Sequence, residues 1–303
     1  MKRYASVSVL LAGILWGTMG LFVRRLNAWG LTSMSIVELR SLFTAVLLFA
    51  GLAIGNRSAL RIRWRDLWCF LGTGICSVVF FNFCYFQTIA ATSLSLAAIL
   101  LYTSPVFVLL LSALFFRERI TLRKVGALIL AVAGCALVSG LGGGTLSPRH
   151  ILTGLGAGFG YALYSIFSRC ALNRGYSSLT ITAYTFLMAS IGGAFFTDFS
   201  AVGASLQAYP PAWGFVLLYA VVTTVLPYLL YTYGLQHIPN STAAVMVCVE
   251  PVTATIFGLT VFREKLTVFS VVGIGLVFIG ILLLNLPMRS RPDTGGSSRP
   301  NHS

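Results

Sequence analysis

Ionisable side chains are the scarcest component of this 303-residue sequence: charged residues make up 9% of it, with 7 Asp plus Glu and 3 His. So few acids cannot supply the carboxylate pairs or mixed Ser-His-Asp sets on which most soluble enzymes depend. His150, His237 and His302 are too scattered to complete a zinc site, so no metal or cofactor is expected. Cysteine is sparse too. Cys69, Cys76, Cys84, Cys135, Cys170 and Cys248 lie in or beside apolar stretches with no CxxC pair, which excludes a disulfide scaffold and leaves them as small hydrophobes. Polar low-complexity sequence is confined to the tail from Met288 to Ser303, so a disordered chain is excluded as well.

What fills the chain instead is apolar: 57% of residues are hydrophobic and the mean hydropathy is +0.88. A soluble fold could not bury that much surface, and a polytopic membrane protein is left. A hydrocarbon core of roughly 30 Å takes about 20 helical residues. Runs of that kind recur at 5–23, 34–54, 67–87, 94–116, 124–141, 151–169, 179–197, 212–234, 241–262 and 267–287. The opening Met1-Lys2-Arg3 imitates a signal peptide, but the apolar run continues through Trp16 to Val23 without a small-x-small cleavage site and reads as a first membrane helix. The connections are short, so function is expected within the membrane.

The net charge of +14 would suit a nucleic-acid binder until its placement is considered. Ten spans put both termini on one side. That side collects 15 basic residues, among them Lys2, Arg3, Arg57, Arg61, Arg63, Arg65, Arg117, Arg119, Arg123 and Lys124. The other side collects 5: Arg24, Arg25, Arg149, Arg263 and Lys265. The richer face is therefore expected to be cytoplasmic, with both termini there, the bilayer as partner and no role for nucleic acid.

The chain also repeats itself. Ala12, Gly13, Phe22, Arg24, Gly30 and Ser33 match Ala157, Gly158, Phe167, Arg169, Gly175 and Ser178 at a shift of 145. At a shift of 146, Tyr85, Pro105, Arg117, Glu118, Thr121 and Gly134 match Tyr231, Pro251, Arg263, Glu264, Thr267 and Gly280. Five spans per copy is an odd number, so the copies must be inverted. Inverted repeats build secondary transporters, with a substrate site near the midplane. The expected fold is thus all-α integral membrane, ten transmembrane helices as two inverted five-helix repeats. The divisions are 1–141, an inter-repeat loop at 142–150, 151–287, and a disordered cytoplasmic tail at 288–303.

Trp16-Gly17, Pro105 followed by Arg117-Glu118-Arg119-Ile120-Thr121, and Glu250-Pro251 followed by Arg263-Glu264-Lys265-Leu266-Thr267 resemble the EamA-type branch of the drug/metabolite transporter superfamily. The resemblance runs through both halves and is closest to the aromatic amino-acid exporters. It implies a ten-helix bundle in the cell membrane, the inner or plasma membrane of a bacterium, that exports small metabolites through a central cavity.

Glu250 is the foremost candidate residue. Nine residues into a span starting near Ser241, it lies about 13 Å deep, close to the bilayer centre, where a charge costs around 3 kcal/mol. One reading is a carboxyl that exchanges a proton or pairs with a substrate amine. The other is structural: Pro251 has no N–H and leaves the Val247 carbonyl free, and a protonated Glu250 donates to it. Pro105 and Pro251 occupy matching mid-span positions, where kinked helices would line a shared cavity and gate it. Pro227 has no such mate and reads as packing.

Aromatics come next. Asn82 and Tyr85 share one helix face, Tyr228 and Tyr231 are their mates, and Thr224 joins that second face. Trp16 has Tyr161 as its mate, Tyr164 and Ser165 extend that face, and Tyr102 precedes Pro105 by one turn. Such walls suit an amphipathic solute and can hold an amine by cation–π contact. The substrate-binding candidates implied are Trp16, Asn82, Tyr85, Tyr102, Tyr164, Tyr231 and Glu250, although each ring taken singly is also explicable as packing.

Glu38 and Arg40, early in the second span, point about 200° apart and cannot pair on one helix. Snorkelling to the interface accounts for both, with a gate contact as the alternative for Arg40. Gly154, Gly156, Gly158 and Gly160 have the spacing of a nucleotide loop, but no strand precedes them, so they read as close helix packing, as do Gly13 and Gly17. The Arg-Glu-Arg and Arg-Glu-Lys motifs at span ends are explained by self-pairing and anchoring. The leading expectation is an alternating-access exporter of small amphipathic metabolites, aromatic or neutral amino acids favoured, with a monomer sufficient and proton coupling open. Organic cations or drugs are the alternative cargo. A lipid-acting membrane enzyme and a receptor are the competing classes.

Overall fold

The computed structural model describes residues 2–140, 147–263 and 267–285. The tail at 288–303, residues 142–146 of the inter-repeat loop, and Glu264-Lys265-Leu266 of the second repeated motif lie outside the described residues. Nine described helices are long and apolar enough to cross a membrane: Tyr4–Ala28, Ser33–Gly55, Trp64–Ala91, Leu94–Phe116, Leu122–Ser139, Pro148–Leu172, Ser178–Phe196, Pro211–His237 and Asn240–Phe262. A shorter apolar helix, Val268–Leu284, is the tenth. They are called the first to tenth spans below. No strand occurs among the described residues.

The packing is pseudo-twofold. The second span packs on the seventh, the fourth on the ninth and the fifth on the tenth, so each of these pairs maps onto itself when the repeats are exchanged. The first packs on the eighth and the sixth on the third, two contacts that map onto one another. Local backbone features recur in the same way. Gly30 and Gly175 take φ of +87° and +88° after the first and sixth spans. Arg117 and Arg263 end the fourth and ninth spans in the left-handed region, at φ 53° and 56°, and are the only non-glycine residues there among those described. Thr32 and Ser177 cap the spans that follow by accepting from the N–H groups of Ser35 and Thr180. Wide π-turns interrupt the third span at Gly72–Val79 and the eighth at Val221–Val225. Pro227 follows the latter directly, where the widened turn already displaces the hydrogen-bond ladder.

Two spans are broken at matching points. The fourth runs Leu94–Leu101 and restarts as Ser104–Phe116, and the ninth runs Asn240–Met246 and restarts as Val249–Phe262. Pro105 and Pro251 thereby sit in the first turn of a new helix, where their missing N–H costs nothing, rather than mid-helix, where the cost is about 3 kcal/mol. The Val247 carbonyl is not left free as expected: the backbone N–H of Glu250 reaches it at 2.8 Å. Small residues bring neighbours onto both breaks. A Cβ at Gly17 would lie 2.7 Å from the Glu250 carbonyl, and one at Gly158 would lie 2.9 Å from the Leu100 carbonyl.

Two further expectations are corrected. The connection between the seventh and eighth spans is not short: it carries a helix, Phe199–Ala208, started by Asp198, whose Oδ1 accepts from the N–H of Ser200 at 2.9 Å and of Ala201 at 3.1 Å. Glu38 and Arg40 do not snorkel. They are 2% and 1% exposed, because the outer half of the second span is enclosed by the first, seventh and eighth spans.

Candidate functional site

The glycine approaches just described bring the first span against the broken ninth span, and the sixth against the broken fourth, so the breaks face the middle of the bundle. Side chains from the first, third, sixth and eighth spans close over that point. Trp16, Ser77, Phe81, Tyr161, Tyr164, Ser165, Tyr228 and Tyr231 line a narrow cleft of about 20 Å³. Tyr228 meets Trp16 and Tyr164 edge to face, an arrangement favoured by aromatic quadrupoles, while Tyr231 is tilted against both. Trp16 lies 5.1 Å from Tyr228 and 5.5 Å from Tyr231, centroid to centroid, and Tyr164 lies 4.9 Å from Tyr228. So closely set, they leave room for little more than water, and a larger guest requires them to part.

Several hydroxyls at the cleft are paired. Tyr164 and Thr232 share a hydrogen bond of 2.7 Å, and Ser165 and Tyr231 one of 2.8 Å. Tyr161 differs, because its hydroxyl donates to Glu250 Oε2 at 3.3 Å while its ring stands 6.3 Å from Trp16 and 5.4 Å from Phe81. It links the ring cluster to the carboxyl. Tyr85 and Tyr102 lie within electrostatic reach of Glu250, and Tyr85 stacks 5.8 Å from Phe81. The carboxyl thus has tyrosines from the third, fourth and sixth spans around it. The structural alternative for Glu250, donation to a freed backbone carbonyl, is not what the geometry shows.

Of the seven candidate binding residues, Trp16, Tyr164 and Tyr231 are brought together in the cleft, and Tyr85, Tyr102 and Glu250 gather beside it. Asn82 is not among the lining residues. Its side-chain amide donates to the Val78 carbonyl one turn back, at 2.7 Å, where the π-turn ends. Tyr161 and Tyr228 line the cleft but were legible only as the repeat mates of Trp16 and Asn82. Phe81 and Ser77 carried no signal, since one Phe in an apolar run looks like any other.

A second set of polar contacts closes the end of the bundle where the chain begins. Arg169 donates to Asn240 Oδ1 at 2.8 Å and to the Ile238 carbonyl at 2.5 Å. Asn240 in turn donates to the Ser165 carbonyl at 3.2 Å. Glu118 accepts from Lys124 at 2.6 Å and from the Ser241 hydroxyl. The first Arg-Glu motif therefore ties the fourth span to the start of the ninth, a tertiary contact beyond self-pairing. Among the described residues no group of His, Cys, Asp and Glu could hold a metal ion.

This arrangement, a pseudo-twofold bundle with broken helices at its centre, has counterparts. The pattern of the EamA-like transporter family matches residues 3–140 and 148–286, one copy in each half. The chain belongs to this family. It is a multi-pass transporter of the drug/metabolite transporter superfamily. An uncharacterized transporter of Archaeoglobus fulgidus is 29% identical over 291 residues, spanning 93% of this chain and 96% of that one. The uncharacterized transporter YxxF of Bacillus subtilis is 27% identical over 286 residues, spanning 93% of this chain and 89% of its own length. A solved crystal structure 16% identical to the transporter superimposes with a TM-score of 0.75 over 94% of this chain and 97% of that one, a likeness of fold alone.

Proposed function

We propose that this transporter exports small amphipathic metabolites, aromatic or neutral amino acids foremost, by alternating access around the central cleft. The observation that carries this reading is the Tyr161–Glu250 bond, which sets a carboxyl at the break of the ninth span against a wall of aromatic rings. Rings accept an apolar side chain or the face of an ammonium, and the carboxyl complements an amine. Inverted repeats supply the motion, since exchanging the conformations of the two halves exchanges the open side. In this reading the closed contacts around Arg169 and Glu118 form the cytoplasmic seal. Both termini lie in the cytoplasm, the 15 to 5 bias of basic residues supporting that orientation. The protein resides in the cell membrane, and a monomer contains the whole cleft.

Glu250 is also the proposed proton carrier, because it is the carboxyl at the cleft. Uptake by proteoliposomes from a panel of labelled amino acids, amines, sugars and nucleosides tests the reading. Saturable accumulation of phenylalanine or leucine that responds to an imposed pH gradient is expected. Uptake of amines alone would favour the organic-cation alternative, and absence of any transmembrane movement would favour a lipid-acting enzyme.

A further inference from the structure

We propose that Arg40 recognises a carboxylate on the substrate, which narrows the cargo from amphipathic metabolites in general to zwitterions carrying a free acid group; this rests on the reading of the cleft as an amino-acid site. Arg40 is 1% exposed and is the largest fully buried side chain among the described residues. It makes no ion pair among the described residues. Its Nη1 donates to the thioether of Met19 at 3.7 Å, a weak acceptor, and its Nε has no partner. The carboxylate nearest in sequence, Glu38, faces the other way and accepts from Ser190 at 2.5 Å. A guanidinium stays charged at any physiological pH, so burying it without an anion is costly unless an anion arrives.

The surroundings supply more unused polar groups. Thr44 is one turn along the same face of the second span, and Thr224 is one turn before Tyr228 on the eighth, the two spans being in contact. Both hydroxyls are buried without a partner. A guanidinium fork with hydroxyls at hand is donor-rich and acceptor-poor, which is the complement of a carboxylate. The place is also apt. Met19 lies one turn beyond Trp16, and Trp16 packs on Tyr228 at 5.1 Å. Arg40 and Glu250 both lie within electrostatic reach of Tyr228. When the rings part to admit a guest, Arg40 is the cation behind the Trp16–Tyr228 wall.

The internal repeat adds an independent argument. Residues that build the scaffold recur in both halves, whereas Arg40 falls opposite Thr185 and Phe186, and Glu250 opposite Ser104. An inverted scaffold does not itself require either charge. An asymmetric substrate does, because its amine and acid ends need different partners.

Competition against labelled phenylalanine and leucine uptake in proteoliposomes provides the test, with the decarboxylated amine and the methyl ester of each as competitors. In the wild-type protein the amines and esters are expected to compete at least tenfold more weakly than the parent amino acids. Arg40→Gln should weaken the amino acids at least tenfold while leaving the amines and esters unchanged, and Arg40→Lys should fall between. Wild-type protein that binds amine or ester as tightly as the amino acid overturns the inference, and needs no variant to fold. An Arg40→Gln protein that loses all ligands equally assigns Arg40 to structure and overturns it as well. Wild-type protein that moves neither amino acid removes the proposed function, and this inference with it. Retained amino-acid uptake with no carboxylate discrimination removes this inference alone.

Discussion

The hydroxyl of Tyr161 donates to Glu250 Oε2 at 3.3 Å, joining the sixth span of the second repeat to the broken span of the same repeat across the central cleft. Tyr161→Phe removes that donor and keeps the ring, whereas Glu250→Gln keeps the shape and removes the charge. If the carboxyl serves transport, Glu250→Gln abolishes pH-driven uptake in proteoliposomes. Tyr161→Phe slows uptake by about tenfold to a hundredfold, as expected for loss of one hydrogen bond to a charged group, about 1.5–3 kcal/mol. Unchanged pH-driven uptake in Glu250→Gln would assign the acid to structure.

Gly17 gives the most direct test of the break in the ninth span. A Cβ there would come 2.7 Å from the Glu250 carbonyl and 2.6 Å from Thr253 Cβ, contacts that neither backbone nor a β-branched residue can relieve. Gly17→Val is expected to destabilise the detergent-solubilised protein by roughly 1–3 kcal/mol, the usual range for overpacking. Gly51, where a Cβ meets nothing within 4 Å, serves as the control: Gly51→Val should leave the melting temperature within the error of the measurement.

The contacts of Glu118 with Lys124 and Ser241, and of Arg169 with Asn240, hold the N-terminal end of the bundle shut. If the proposed alternating access and orientation hold, Glu118→Gln combined with Ser241→Ala loosens that end and favours the state open to the cytoplasm. A cysteine introduced at Tyr231 would then react faster with a membrane-impermeant maleimide added from the cytoplasmic side. Equal labelling rates in the parent and the double variant would show that the closure does not depend on these groups.

Asp198 supplies a pH-dependent feature outside the spans. Its carboxylate is held below the usual range by the Ser200 hydroxyl and by the N–H groups of Ala201 and Ser200. A depressed carboxyl stabilises the folded end of the helix above the ordinary aspartate pKa and loses that contribution as the pH falls through the depressed value. Amide protection of Ser200 and Ala201 is therefore expected to be full at pH 7 and to drop under strong acid. Asp198→Ala should show the low protection at both extremes.

Asp66 accepts from Arg174 at 2.8 Å and from the Tyr176 hydroxyl at 2.8 Å, joining the start of the third span to the turn between the sixth and seventh. Asp66→Ala leaves both donors to water and is expected to lower the melting temperature by a few degrees without changing substrate preference. A changed preference would show that this turn communicates with the cleft.

Ten apolar runs, the bias of basic residues and the duplication were legible in the sequence because each is a local property: hydropathy follows from composition, and a shifted self-comparison needs no coordinates. Odd parity of the repeats then forced inversion, and Pro105 and Pro251 marked the two helix breaks. Trp16, Tyr164 and Tyr231 were legible as a set through helical spacing and repeat mates. The tertiary structure alone decided which polar groups meet, because hydrogen bonds and burial depend on which faces the packing turns inward. It set Glu250 against Tyr161 rather than against the Val247 carbonyl, spent the Asn82 amide on its own helix, and enclosed Arg40 where helix ends usually let long side chains escape to water. A side chain's reach to the interface depends on the neighbours that surround it, and those neighbours come from spans far away in the chain.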